Sequence, residues 1–229
     1  MVGVLRALSV LAAGVAALVP AVPCSAASFS SARIYIEYNR IPNDLGFHVA
    51  LDGEDWKSLR ILSPSGATIF DLTGKGGYAK LGLTELFFEG AEPSLDDVPL
   101  EELLGLFPEG RYKFIGTTLG GRRLSSVATL SHAVPDAPAA TAEVDDGTVV
   151  IRWEPVSQPP EGFPDRRIEI VAYQVIVGDF QVSLPASSTQ ATVPPEYVES
   201  LGPGEHPFEV LAIDKSGNQT IREGSFEIE

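Results

Sequence analysis

In the second half of this chain, apolar side chains recur at every other position. Val149, Ile151 and Trp153 form one such run, Tyr173, Val175 and Val177 a second, and Phe208, Val210 and Ala212 a third. A period of two puts all of one set on a single face of an extended strand, so each run buries one face and wets the other. Strands of that kind require a second apolar layer to cover them. The expected class is therefore all-β, built as packed sheets.

The first half follows the same rule. Ile34, Ile36 and Tyr38 alternate with polar residues, the stretch Asn43-Asp44-Leu45-Gly46 reads as a turn, and Phe47, Val49 and Leu51 alternate again up to Asp52-Gly53. A third strand is expected over Trp56, Leu59, Ile61 and Leu62, closed by the turn Ser63-Pro64-Ser65-Gly66, where proline presets φ and glycine follows it. Ile69, Phe70 and Leu72 come next, then the loop Gly74-Lys75-Gly76-Gly77, read as a hairpin connection. Strands are also expected at Arg111–Gly116 and Leu124–Leu130, joined through Gly120-Gly121. One segment changes period: Leu100, Leu103, Leu104 and Phe107 fall on one face of a helix near 97–107. Asp96 and Asp97 stand where a carboxylate can accept from the first-turn amides, and Pro99 where a missing amide hydrogen costs least.

Residues 131–138, Ser-His-Ala-Val-Pro-Asp-Ala-Pro, separate the halves, because two prolines three apart withhold amide donors and stop a ladder. The expected organisation is a leader over 1–27, an N-terminal Ig-like β-sandwich over 28–134 carrying the single short helix, and a second sandwich over 135–229. Of the net charge of −15, residues 136–229 contribute −12 and residues 28–135 contribute −4, against +1 from Arg6. Such a surface repels phosphate backbones and anionic lipid, which argues against nucleic-acid partners. It favours solubility and, more specifically, affinity for cations or basic partners.

The first 27 residues carry one charge, Arg6, followed by the apolar run Leu8–Val19, the breakers Pro20 and Pro23, and the small residues Ser25, Ala26 and Ala27. That order reads as a cleaved export signal, the run being short for a bilayer span of about 20 residues. Stable membrane insertion is not expected after cleavage, and the chain is placed as secreted or periplasmic. Cys24 is the one cysteine; Pro23 beside it argues against lipidation, and a chain cut at Ala26 or Ala27 has no disulfide. Stability must then come from apolar burial, for which about 200 residues suffice for two cores.

The second half also carries a family-like order of particular residues. Pro138, Trp153, the stretch Ile170–Val175, Ala191 and Val193, the approach Leu201-Gly202-Pro203-Gly204, Phe208–Ala212 and the loop Asp214–Asn218 follow one another in an order that resembles a fibronectin type III domain. The resemblance implies a sandwich and a role in adhesion, spacing or binding rather than catalysis. His206 stands where that family usually has a corner tyrosine, and is expected to replace its bond back to the chain; Pro207 places the start of that strand at an edge. The whole chain also resembles a group of secreted bacterial proteins, in which a segment similar to Gly82–Glu89 precedes a short acidic-leucine helix and a type III domain. That likeness brings no activity with it.

Chemistry-bearing motifs are sparse. His48, His132 and His206 stand in unrelated contexts, no serine sits in G-x-S-x-G, and Gly74–Gly77 lacks the spacing and the following helix of a phosphate loop. Asp52, Glu54 and Asp55, with Asp44 nearby in sequence, are the only carboxylate cluster read as a possible calcium turn, and are equally a solvated turn. Trp56, Tyr78, Phe87 and Phe88 could stack on sugars, although a sandwich of this size needs most of its aromatics in the core. Asp145-Asp146-Gly147 is a hairpin turn. Asn218-Gln219-Thr220 matches a glycosylation acceptor but reads as an unmodified hairpin end. No residue is assigned to catalysis, cofactor or metal. The expectation is a non-enzymatic binding or adhesion protein with a protein or glycan partner at a bacterial envelope, the alternatives being a structural spacer or a hydrolase with carboxylates on facing loops.

Overall fold

The computed structural model describes residues 27–229; the leader expected over 1–27, with Cys24, lies outside them apart from Ala27. The described chain is all-β: thirteen strands and three helices of seven residues or fewer. Among the described residues no helix is long and apolar enough to cross a membrane.

In the first half, β1 (Ser31–Asn39) turns directly into β2 (Asp44–Leu62). Their antiparallel register runs from Ser31↔Asp52 to Asn39↔Asp44, so the turn occupies 40–43 and Asp44-Leu45-Gly46 already belongs to β2. Asp52-Gly53 was expected to end a strand, yet β2 continues through it for 19 residues. The strand bends there instead. Its first part pairs with β1, and after register shifts between Asp52 and Ser58 its last part pairs with β5 (Gly110–Thr118) on the same side. One strand thus serves both layers, the corner being made by a bulge. The turn at 63–66 closes as expected, Gly66 N–H donating to the Ser63 carbonyl at 2.9 Å.

Along the other side of β2 run β3 (Thr68–Thr73) and then β4 (Leu83–Glu89). Both are antiparallel to β2, so they run in the same direction and Gly74–Gly77 is not a hairpin. It opens an excursion within a single edge strand, and that excursion contains the four-residue helix α1 (Tyr78–Leu81). The expected helix is present as α2 (Leu100–Leu106), with Leu103 and Leu104 buried. Pro99 caps it rather than sitting in its first turn. Asp96 caps nothing; its carboxylate accepts from Asn43 Nδ2 at 2.9 Å. β6 (Arg123–Leu130) completes this half against β5.

In the second half, a three-strand sheet of β11 (Gln190–Val193), β8 (Thr148–Trp153) and β7 (Ala140–Asp145) faces β10 (Phe180–Pro185), β9 (Ile170–Val177), β12 (Gly204–Asp214) and β13 (Gln219–Ile228). Asp146 and Gly147 both take positive φ in the tight β7–β8 turn. A third helix, α3 (Pro195–Leu201), follows β11 where the sequence suggested none.

Buried apolar residues form two clusters, one around Ile36, Trp56, Tyr112 and Phe114, the other around Ile151, Trp153, Tyr173 and Val210. The larger sheet nevertheless runs through both, because β1 pairs in parallel with β13 over Glu37↔Gln219 to Asn39↔Ile221. The proline-bearing 131–138 segment itself carries no strand, and its carbonyls take side-chain donors. Asn218 Nδ2 donates to Ser131 O and Ala133 O at 2.8 and 3.0 Å, and Thr220 Oγ1 to Pro135 O at 2.5 Å.

An ion pair adds a pH-dependent tie. Arg166 Nη2 lies 2.8 Å from Glu109 Oε2, and the His132 amide donates to Glu109 Oε1 at 2.7 Å. Bonding to Arg166 first, and then to the His132 amide, draws the Glu109 carboxyl from 4.5 down to about 2 against the opposing effect of burial. A depressed acid stabilises the fold above its unfolded pKa, and that contribution disappears as pH falls through the folded value. Glu109→Gln is expected to lower the melting temperature at pH 7, the gap to the parent narrowing between pH 4.5 and about 2. A gap unchanged across that window in a series of thermal melts contradicts the assignment.

Candidate functional site

The β1–β2 hairpin determines which side chains meet outside the core. With Ile34, Ile36 and Tyr38 turned inward, Tyr35 and Glu37 face outward; with Phe47 and Val49 inward, Gly46 and His48 face outward beside them. β4 adds Glu89 directly opposite His48, and Glu92 follows just beyond β4. The result is a histidine among carboxylates: His48 Nε2 lies 3.7 Å from Glu37 Oε1 and 3.5 Å from Glu92 Oε1, and Nδ1 lies 3.5 Å from Glu89 Oε2.

His48 is 2% exposed, although it faces away from the core. Its ring stacks on Tyr35 with centroids 5.0 Å apart and lies 5.8 Å from Phe87. Neither ring nitrogen has a hydrogen-bond partner, and neither has Glu92 Oε1. Glu37 is held by its other oxygen, which accepts from Gln219 Nε2. Glu92 crosses over Gly46, where a Cβ would come within 2.8 Å of Glu92 Cγ. The absent side chain at 46 is what lets this carboxylate reach the imidazole. Burial, then the neighbouring charges of Glu37 and Asp44, push the Glu92 carboxyl up, with His48 opposing.

The acidic face extends across the junction. Outward positions on β12 and β13 bring Glu209 directly opposite Glu223 and Glu205 opposite Glu227. Burial, then Glu223 and Glu37, raise the Glu209 carboxyl.

The carboxylates first read as a calcium turn do not gather. Asp44 and Asp52 lie at the two ends of the β1–β2 ladder, eight residues or about 26 Å apart along an extended strand. Asp44 accepts from Asn39 Nδ2 at 2.8 Å, and Glu54 pairs with Arg122. Asp55 lies against Gly82. Among the described residues, donor atoms come within reach of one ion at Glu37, His48 and Glu92. Sequence reasoning missed this set because its members come from three segments with no fixed spacing. The available signal was parity: Glu37 and His48 occupy the wet positions of two alternating runs joined by one short turn.

Other candidates resolve individually. Trp56 is fully buried and Phe88 stacks on Phe70 at 4.5 Å, whereas Tyr78 and Phe87 are exposed. Asn218 is fully buried, and its amide nitrogen already bonds two carbonyls. His206 Nε2 lies 2.9 Å from the carbonyl of Gly202, four residues upstream. Tyr112 Oη, unremarked in the sequence, donates to Pro108 O at 3.0 Å with the same offset. Pro207 pairs with Ser225 of β13 but lies outside the stretch of β12 that pairs with β9, so the start of this strand is open on that side. His132 Nε2 lies 2.9 Å from the Phe107 carbonyl. A depression of about 630 Å³ lies elsewhere, beneath the 157–168 loop, with Phe163 as its one aromatic.

No family model matches the chain, and no curated protein matches it. Solved structures similar to it include the Clostridium perfringens spore cortex lytic enzyme SleM, at 15% identity and a TM-score of 0.34, over 41% of this chain and 28% of that one. Fibronectin(III)-like modules of Clostridium thermocellum CbhA match at 10% identity and a TM-score of 0.31, over 90% of this chain and 92% of theirs. A bacterial ice-binding adhesin of 1.5 MDa matches at 9% identity and a TM-score of 0.26, over 89% of this chain and 65% of that one.

Proposed function

We propose that this chain is an exported, non-enzymatic binding module of the bacterial envelope or exterior, which receives a basic protein surface on the acidic outer face of its joined sheet. One observation carries the reading. Glu209–Glu223 and Glu205–Glu227 place like charges directly opposite each other on adjacent strands, an arrangement that destabilises a sheet. A fold that retains such pairs, beside Glu37, Glu89 and Glu92, gains from the field they create. The parallel β1–β13 pairing supports the reading by keeping that face continuous across both cores.

The test couples stability to binding. Glu209→Gln/Glu223→Gln is expected to raise the melting temperature by relieving repulsion, the effect being roughly 0.5 kcal/mol. It is also expected to abolish salt-sensitive capture of envelope proteins from extract by the immobilised chain. Capture that is indifferent to salt and to the double substitution, or no capture at all, overturns the reading in favour of a structural spacer.

A further inference from the structure

We propose that Glu37, His48 and Glu92 form a site for a divalent ion of the zinc class on the outer face of the sheet, with Glu89 orienting the imidazole from behind. The inference goes beyond the binding role above and does not depend on it.

Three observations converge. First, the imidazole is buried yet neither nitrogen is hydrogen-bonded, and a buried polar group without a partner is costly. An imidazolium bonded to these carboxylates would lie at about 2.7–2.9 Å from them, whereas the contacts are 3.5–3.7 Å. Second, those spacings suit ligands around a common centre. Bonds of about 2.0–2.1 Å in a tetrahedral shell put neighbouring donors about 3.3 Å apart. The donor atoms of Glu37, His48 and Glu92 all lie within 4.8 Å of one another.

Third, the outer groups have the placement that metal-bound histidines require. Nε2 faces the two ligand carboxylates while Nδ1 faces Glu89, which can accept a hydrogen bond from Nδ1–H and so leave the Nε2 lone pair for the ion. Gln219 holds the far oxygen of Glu37. One imidazole with two carboxylates suits zinc and its neighbours better than calcium, which takes six to eight oxygens. Glu92 is about a quarter exposed and Glu89 about half exposed, so the ion has an entry path from solvent. A fourth coordination position remains for water or a partner's donor.

Zinc chloride titrated calorimetrically into the EDTA-stripped chain is expected to fill one saturable site, with calcium and magnesium giving none. His48→Gln and Glu92→Gln are expected to abolish that site, and Glu89→Gln to weaken it roughly 10–100-fold. Gly46→Ala, which pushes aside only the Glu92 side chain, is expected to lose the site while keeping the fold. On the unmutated chain, zinc should shift the Nε2 nitrogen resonance of His48 and leave the rings of His132 and His206 unmoved. No saturable zinc binding, binding indifferent to His48→Gln, or an unshifted His48 resonance overturns the proposal.

Discussion

Replacing Asn218 with alanine is expected to cost about 3 kcal/mol, since a fully buried side chain loses three hydrogen bonds to the backbone at once. Asn218 Oδ1 accepts from the Ile36 amide at 2.8 Å, and Nδ2 donates to the carbonyls of Ser131 and Ala133. Alanine leaves the Ile36 amide and the Ser131 carbonyl without that partner, and leaves Ala133 O only the 3.4 Å bond from Ser216 Oγ, at a position that is 0% exposed. Thr220→Val is the comparator. It is near-isosteric and removes a single bond to Pro135 O, so its cost is expected near 1 kcal/mol. Urea unfolding followed by tryptophan fluorescence measures both. A loss below about 1 kcal/mol in Asn218→Ala would mean that water or a backbone shift replaces these bonds.

Asn218 also shows where the sequence stops informing. Alternation exposed β1, the first part of β2, β8, β9 and β12 because a solvent face and a core face impose opposite chemistry on neighbouring residues. The helical stripe of α2 and the positive-φ turn at Asp146-Gly147 were visible for equally local reasons. Strand pairing across more than 180 residues leaves no such mark. Nothing near Glu37 announces Gln219, and nothing in Asn218-Gln219-Thr220 separates a surface acceptor from a buried cross-link. The same limit hid the candidate site: each member obeys the parity of its own strand, and only the β1–β2–β4 register brings them together. The misread break at Asp52-Gly53 has a related cause. Glycine after aspartate suggests a turn when read locally, yet here it marks a strand that bends beneath a distant side chain.

That distant side chain is Phe29, whose replacement is the second large effect. Its ring lies over both Gly53 and Gly116: a Cβ at Gly53 would come 2.9 Å from Phe29 Cδ1, and one at Gly116 2.6 Å from Phe29 Cζ. It also meets Trp56 edge-on, with centroids 6.3 Å apart. Two glycines therefore form the floor of a slot that this phenylalanine fills at 4% exposure. Because that floor has no side chains, the glycines cannot fill the space when the ring is removed, and a cavity is expected to remain. Phe29→Ala is expected to destabilise the fold by about 3–4 kcal/mol, near the middle of the range for buried phenylalanine. That corresponds to a melting temperature roughly 10 °C lower in a chain of this size. The loss should also have a local component. The Phe29 amide donates to Ser126 Oγ at 3.1 Å, and Ala27 bridges to Leu124, so amides of β6 near Ser125 are expected to exchange faster than those of β12. Phe29→Leu, which keeps most of the volume, should recover more than half of the stability. If alanine costs less than about 1 kcal/mol, or β6 exchange does not change, the slot is not what holds the bend of β2 in place.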